Sequence, residues 1–229
     1  HVLGIGINEY RNGAYNLNYC VADVNGFVGA LVPRAKKLFE TVHVKVLADR
    51  EATRGNFLNA CEEIKRKIRP QDVFVFFYAG HGIALDAAGP DGKAACEFYY
   101  VLSGVTQMTD GAKTAAEGIS GSEMKKILSE IKATKQIMFV DACNSGAFAN
   151  QFAMRGAAEE SALMKLSRAT GSVILASTTK EQFAAEFKEL KHGVFTYVVI
   201  DALSGRGALP NGQLTAAGLK AFVDDKIPE

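Results

Sequence analysis

An α/β fold, with a mostly parallel central sheet of about six strands and helices on both faces, is what this sequence predicts. Two short runs, Val73–Tyr78 (VFVFFY) and Ile137–Val140 (IMFV), have the unbroken apolarity of strands buried on both faces. Strand-like and helix-like periods alternate along the chain, as in a succession of βα units. The length, 229 residues of which 48% are hydrophobic, suits one domain with a full core.

The elements justify themselves in order. His1–Ile7 (HVLGIGI) reads as the first strand. Its GIGIN is half a dinucleotide fingerprint, but the third glycine is missing and no helix follows at once, so a nucleotide site there is disfavoured. A polar, aromatic loop, Asn8–Tyr19, leads to a helix beginning at Cys20-Val21-Ala22-Asp23, with Val24, Phe27, Val28 and Leu31 on one face. Pro33 is expected to kink or end that helix, with Leu38 and Phe39 resuming its apolar side. Val42–Leu47 alternates as a second strand. Thr53 is placed to cap a helix whose Phe57, Leu58, Cys61, Ile64 and Ile68 share a face, closed by Pro70.

After the Val73–Tyr78 strand, Ala84–Ala95 is rich in Gly, Pro and Asp and reads as a loop. Phe98–Leu102 suits a short strand, half of a small hairpin outside the main sheet. Val105–Gly118 reads as a polar, mobile segment. A helix from about Ser122 to Lys132 precedes the Ile137–Val140 strand. Ala147–Glu160 has no clear period, and a helix through Leu163 and Leu166 leads to the strand Val173–Ser177. Val194–Leu203 reads as helix ending at Gly205, and a last helix follows Thr215.

Composition excludes several classes. The 26 basic and 25 acidic side chains nearly cancel, so neither a nucleic-acid surface nor an acidic tail is expected. No run reaches the length of a membrane span, and no signal peptide is visible. Four cysteines, Cys20, Cys61, Cys96 and Cys143, lie far apart without a CxxC pair, which points to reduced thiols in the cytoplasm. The chain opens inside an apolar run without an initiator Met, so a single domain over 1–229 within a longer polypeptide is expected.

Chemistry concentrates at two strand ends. One apolar run stops at Asp141-Ala142-Cys143-Asn144-Ser145-Gly146, the other at Ala79-Gly80-His81-Gly82. The carboxyl edge of a parallel sheet is where ligand crevices form, and a thiol there beside an imidazole is what nucleophilic catalysis requires. YAGHG and DACNSG resemble the His and Cys motifs of caspase-like cysteine peptidases, on the metacaspase and bacterial caspase-like side. The caspase signature has Gln two residues before the Cys and the His about 50 residues upstream. Here Asp141 replaces that Gln, and His81 lies 62 residues before Cys143. The Asn8–Val24 loop, ASTTKEQFAAE after Val173–Ser177, and HGVFTYVVIDAL resemble further family segments, so the likeness spans Val2 to Pro228. The last of these is closest to bacterial caspase-like domains fused to other modules.

The resemblance implies a caspase-haemoglobinase fold and endopeptidase activity with no obligatory cofactor or metal, calcium dependence being open. Cys143 would attack as the thiolate, and His81 would shuttle the proton. The backbone N–H groups of Gly82 and Cys143 would hold the oxyanion. His192-Gly193 repeats the HG dipeptide, so His192 is a rival base; His81 is preferred because a buried strand fixes it. Asp23 and Asp141 match positions that caspases use to hold an acidic substrate side chain, here with charge inverted. Two carboxylates select Arg or Lys. Alone, Asp23 equally suits a helix start and Asp141 a strand-end turn; the joint match assigns them to the pocket, with Ser177 beside them. Arg155 is the candidate self-cleavage position, with Lys93 and Lys113 as rivals. The reading is a cytoplasmic cysteine endopeptidase acting on protein substrates with a basic residue before the scissile bond, under flanking regulatory domains or an activating partner. The alternative is a catalytically silent caspase-like scaffold.

Overall fold

The computed structural model describes residues 1–88, 94–142, 172–177, 191–207 and 214–227. Among the described residues, five strands form a wholly parallel sheet: β1 (Val2–Gly6), β2 (Val44–Ala48), β3 (Val73–Gly80), β7 (Lys135–Ala142) and β8 (Val173–Ser177), in the order β2-β1-β3-β7-β8. A second, antiparallel sheet joins β4 (Gly82–Ala88), β5 (Ala94–Tyr100) and β6 (Ile119–Ser120). Described helices are α1 (Cys20–Ala35), α2 (Arg54–Lys67), α3 (Gly111–Glu117), α4 (Gly121–Glu130), α5 (Val194–Asp201) and α6 (Ala216–Lys226).

Phe76 and Phe77 show how both faces of the sheet are covered. As neighbours on β3 they point to opposite sides. Phe77 stacks on Phe27 of α1 at 4.5 Å, and Phe27 also meets Phe139 of β7 at 4.8 Å. Phe76 meets Phe57 of α2 edge-on at 6.2 Å and Tyr100 of β5 at 5.9 Å. Thus α1 lies on one face, α2 and the small sheet on the other. Such pairs contribute about 0.5–1.5 kcal/mol each beyond the area they bury. The expected cap forms at Thr53, which accepts from the Asn56 N–H; Thr215 likewise caps the last helix by accepting from the Gly218 N–H.

Several expectations need correction. Residues 84–88, read as loop, belong to β4, the partner of the Phe98 strand; small residues gave no strand signal, and pairing with β5 decides their form. The polar stretch after Val105 contains α3, whose N-cap Asp110 accepts from the Ala112 and Lys113 N–H groups. Pro33 neither ends nor replaces a turn of α1, which runs through it to Ala35. Leu38 and Phe39 do not resume an apolar face but stand 79% and 41% exposed. The segments 147–160 and 163–166 lie outside the described residues.

Candidate active site

His81 directly follows β3, and four hydrogen bonds to described residues immobilise it. Its N–H donates to the Tyr10 hydroxyl at 3.0 Å. Its C=O accepts from the Val101 N–H at 3.0 Å and from the Tyr78 hydroxyl at 2.5 Å. Tyr10 and Tyr78 are themselves hydrogen-bonded, so the two phenols bracket the His81 peptide. The side chain is held too: Nε2 lies 2.8 Å from the Tyr15 carbonyl oxygen, and the ring leans on Tyr10 and Tyr15. A carbonyl only accepts, so Nε2 carries the proton, and Nδ1 is the nitrogen that can take one up.

The loop carrying these tyrosines is stitched in place. Asp49, at a positive φ of 46°, accepts from the N–H groups of Asn8 and Glu9 through Oδ1. Asn16 Oδ1 accepts from the Tyr10 N–H, and Asn12 donates to the Thr106 carbonyl. Neither Tyr10 nor Tyr15 carries a motif; the aromatic character of a polar loop with three tyrosines, Tyr10, Tyr15 and Tyr19, was the sequence signal.

Cys143 lies outside the described residues, but its neighbour does not. Ala142, the last residue of β7, is in register with Gly80, the residue before His81. Gly82 lies against the same strand end: a Cβ there would come within 2.7 Å of the Phe98 ring and 2.9 Å of Ala142 Cβ, so only glycine fits. Ser177 is in register with Asp141. Arg155 and Lys93 lie outside the described residues, whereas Lys113 sits on α3.

Asp23 and Asp141, distant in sequence, come together. Both are buried, each 2% exposed. A Cβ built on Gly193 would stand 2.8 Å from Asp141 Oδ2 and 3.3 Å from Asp23 Oδ2, so the two carboxylates converge on that glycine. The amino end of α5 holds both. Asp23 Oδ1 accepts from the Gly193 N–H at 3.0 Å, and Asp141 Oδ2 accepts from the Thr196 hydroxyl at 2.6 Å and the Thr196 N–H at 3.3 Å. Backbone donors at a helix start, together with its dipole, compensate buried negative charge.

His192 Nδ1 lies 2.9 Å from Asp23 Oδ1. Burial pushes this imidazole below its ordinary value of 6.5. A position just ahead of a helix amino end also disfavours the cation, so the ring is a neutral donor to Asp23. The sequence offered His192 as a rival base; in the fold its Nδ1 is engaged by Asp23. Thr196 and Gly193 were legible only as helix and loop residues.

A cavity of about 980 Å³ opens at the opposite, amino-terminal end of the sheet, near His43, Asp72 and Lys135, and none of the predicted site residues lines it. Among the described residues, no group of three or more His, Cys, Asp or Glu is arranged to hold a metal ion, and no helix is long and apolar enough to cross a membrane.

Comparison with known proteins shows the family and the fold. A family model described as the caspase domain matches residues 1–221. A curated relative, inactive metacaspase-4 from Trypanosoma brucei brucei, is 34% identical over 105 residues, covering 42% of this chain and 28% of the relative. The chain thus spans well under a third of that relative's length. Among solved structures, protein GSU0716 from Geobacter sulfurreducens superposes with a TM-score of 0.66 at 17% identity, over 99% of this chain and 88% of the other. That likeness concerns the fold alone.

Proposed function

Since the chain belongs to the caspase-domain family of peptidases, we propose that it is a cysteine endopeptidase that cleaves protein substrates after Arg or Lys. The observation that carries this reading is the juxtaposition at one sheet edge: His81, its Nε2 proton given to Tyr15, follows Gly80, and Gly80 is in register with the residue before Cys143.

With Nε2 protonated, Nδ1 of His81 accepts the Cys143 proton. The thiolate attacks the substrate carbonyl, and the N–H groups of Gly82 and Cys143 receive the oxyanion. The imidazolium then protonates the leaving amine, and water hydrolyses the thioester. Asp23 and Asp141 receive the substrate cation, with Ser177 at the same register position. Every group in this scheme belongs to the protein; a calcium requirement would be read by repeating the assay with a chelator.

The name of the trypanosome relative motivates a second reading, a silent scaffold. This chain nevertheless retains both Cys143 and His81. Fluorogenic peptides ending in Arg, Lys, Asp and Leu separate the two. Release after Arg or Lys, lost in Cys143→Ala and His81→Ala, supports the peptidase. Activity lost in His192→Ala but kept in His81→Ala would reverse the choice of base. No release from any peptide, with flanking domains or an activating partner and calcium supplied, leaves the scaffold. Arg155 is the expected self-cleavage position: a fragment beginning at Gly156, formed by active protein and not by Cys143→Ala, is the result that supports it.

A further inference from the structure

We infer that His192 is a specificity-positioning residue: its Nδ1–H holds Oδ1 of Asp23 so that Oδ2 faces Asp141 and the two carboxylates present one binding face to a basic substrate side chain. This rests on the basic-specificity reading above, and it gives the second HG dipeptide a role separate from proton transfer.

Two glycines record how tightly the arrangement is built. Gly26 on α1 leaves the space into which the His192 ring docks. A Cβ at that position would meet His192 Cε1 at 2.8 Å and Ile200 Cδ1 at 2.7 Å. Gly193 leaves the space into which the carboxylates converge, with Oδ2 of both acids within 3.3 Å of its missing Cβ. A larger residue at either position displaces the imidazole or separates the acids.

The division of labour between oxygens follows. Asp23 Oδ1 takes two donors, His192 Nδ1 at 2.9 Å and the Gly193 N–H at 3.0 Å. Its Oδ2 lies on the side of Asp141. Two donors on one oxygen fix the carboxylate in rotation and so set the direction of Oδ2, and a planar guanidinium rewards a set direction. His192 does this as a neutral donor. A lysine or arginine at 192 would hold Asp23 equally well but cancel the charge the substrate must meet. The side chain is 24% exposed, so it borders the pocket instead of being sealed in the core.

The test measures kcat and KM on matched peptides ending in Arg and in Leu, using the full chain, its His192→Ala and His192→Asn variants, and Gly26→Ala. Asn places an amide N–H near the position of Nδ1 and is the rescue. The expected result for His192→Ala is a fall of about tenfold in the Arg-over-Leu ratio of kcat/KM, carried by KM for the Arg peptide. His192→Asn should recover most of that ratio, and Gly26→Ala should lose it with the imidazole still present. The alkylation rate of Cys143 by iodoacetamide should stay within about twofold of the parent, since the chemistry is untouched. An Arg-selective parent whose ratio is unmoved in both His192→Ala and Gly26→Ala overturns the inference alone. Equal loss on Arg and Leu peptides overturns it too, because His192 then serves the fold or the chemistry. A parent with no preference for basic residues removes the specificity reading itself, and this inference with it. Should His192→Ala fail to fold, Gly26→Ala and His192→Asn decide by the same ratio.

Discussion

Replacing Tyr10 by Phe removes a single oxygen, and the structure specifies what that oxygen does. It accepts the His81 N–H at 3.0 Å in a site where Tyr10 is 6% and His81 also 6% exposed. The other bonds of His81 survive: Tyr78 still reaches the His81 carbonyl, and Tyr15 still holds Nε2. The variant therefore orphans the buried His81 N–H and also removes the Tyr10–Tyr78 hydrogen bond. An orphaned, buried N–H costs about 1–3 kcal/mol. In a domain of this size each kcal/mol moves the melting temperature by about 2–4 °C, so a fall of roughly 2–12 °C is expected. Turnover should fall more steeply than affinity, since the imidazole sits on the peptide that loses its anchor, and a misplacement of about 1 Å can cost on the order of 10²-fold. Differential scanning calorimetry on the Cys143→Ala background gives the stability without self-cleavage; peptide kinetics on the parent background give the rest. A melting temperature within about 1 °C of the parent, with kcat unchanged, would show that the two phenols do not position His81.

Gly193→Ala should destabilise by about 1–3 kcal/mol in denaturant titrations, because its Cβ would overlap a carboxylate that Thr196 pins from the other side; an unchanged midpoint would mean the acids separate freely. Native labelling with iodoacetamide should spare Cys20 and Cys61, both buried, the second with its thiol pushed up to about 12 by burial, and peptide mapping should find them modified only after unfolding. Because burial lowers the His192 value in the folded chain, the unfolded state binds more protons; the neutral ring's contribution is complete above 6.5 and is lost as pH falls from there toward the lowered folded value. Thermal melts of the parent and His192→Asn should accordingly converge on acidification, with the parent changing more; parallel curves would refute this.

Much of the frame was legible because the relevant signals are local. Phe74 to Tyr78 and Met138 to Val140 are buried strand residues, and their continuous apolarity said so. The cap at Thr53 was readable from one side chain. What escaped was decided by partners distant in sequence. Ala84 to Ala88 lacks β-branched residues and becomes strand by pairing with Ala94 to Phe98. The helix Gly111–Glu117 has no apolar stripe and rests on the Asp110 cap and the buried Thr114. At the site, His81 was visible from its motif, while Tyr10 and Tyr15 reach it across 71 and 66 positions through a hydroxyl and a backbone carbonyl. A backbone carbonyl leaves no trace in residue identity. Asp23 and Asp141 were paired through family likeness alone, since no local rule relates residues so far apart.

That pairing also explains why α1 is built as it is. Its first turns carry three duties on neighbouring positions. Val24 and Phe27, both fully buried, key the helix to the sheet, Phe27 lying against Phe77 of β3 and Phe139 of β7. These are the two strands that end beside His81 and at the residue before Cys143. Asp23 sits one turn before Phe27, and residues four apart on a helix lie on one face, so the aromatic packing that locks α1 onto those strands also fixes the height of its carboxylate over their ends. Gly26, between them, keeps the flank of the helix open for the His192 ring. The same helix therefore registers the two acids against the strands that lead to Cys143 and His81. Under the proposed specificity, loosening Phe27 is expected to lower selectivity as well as stability.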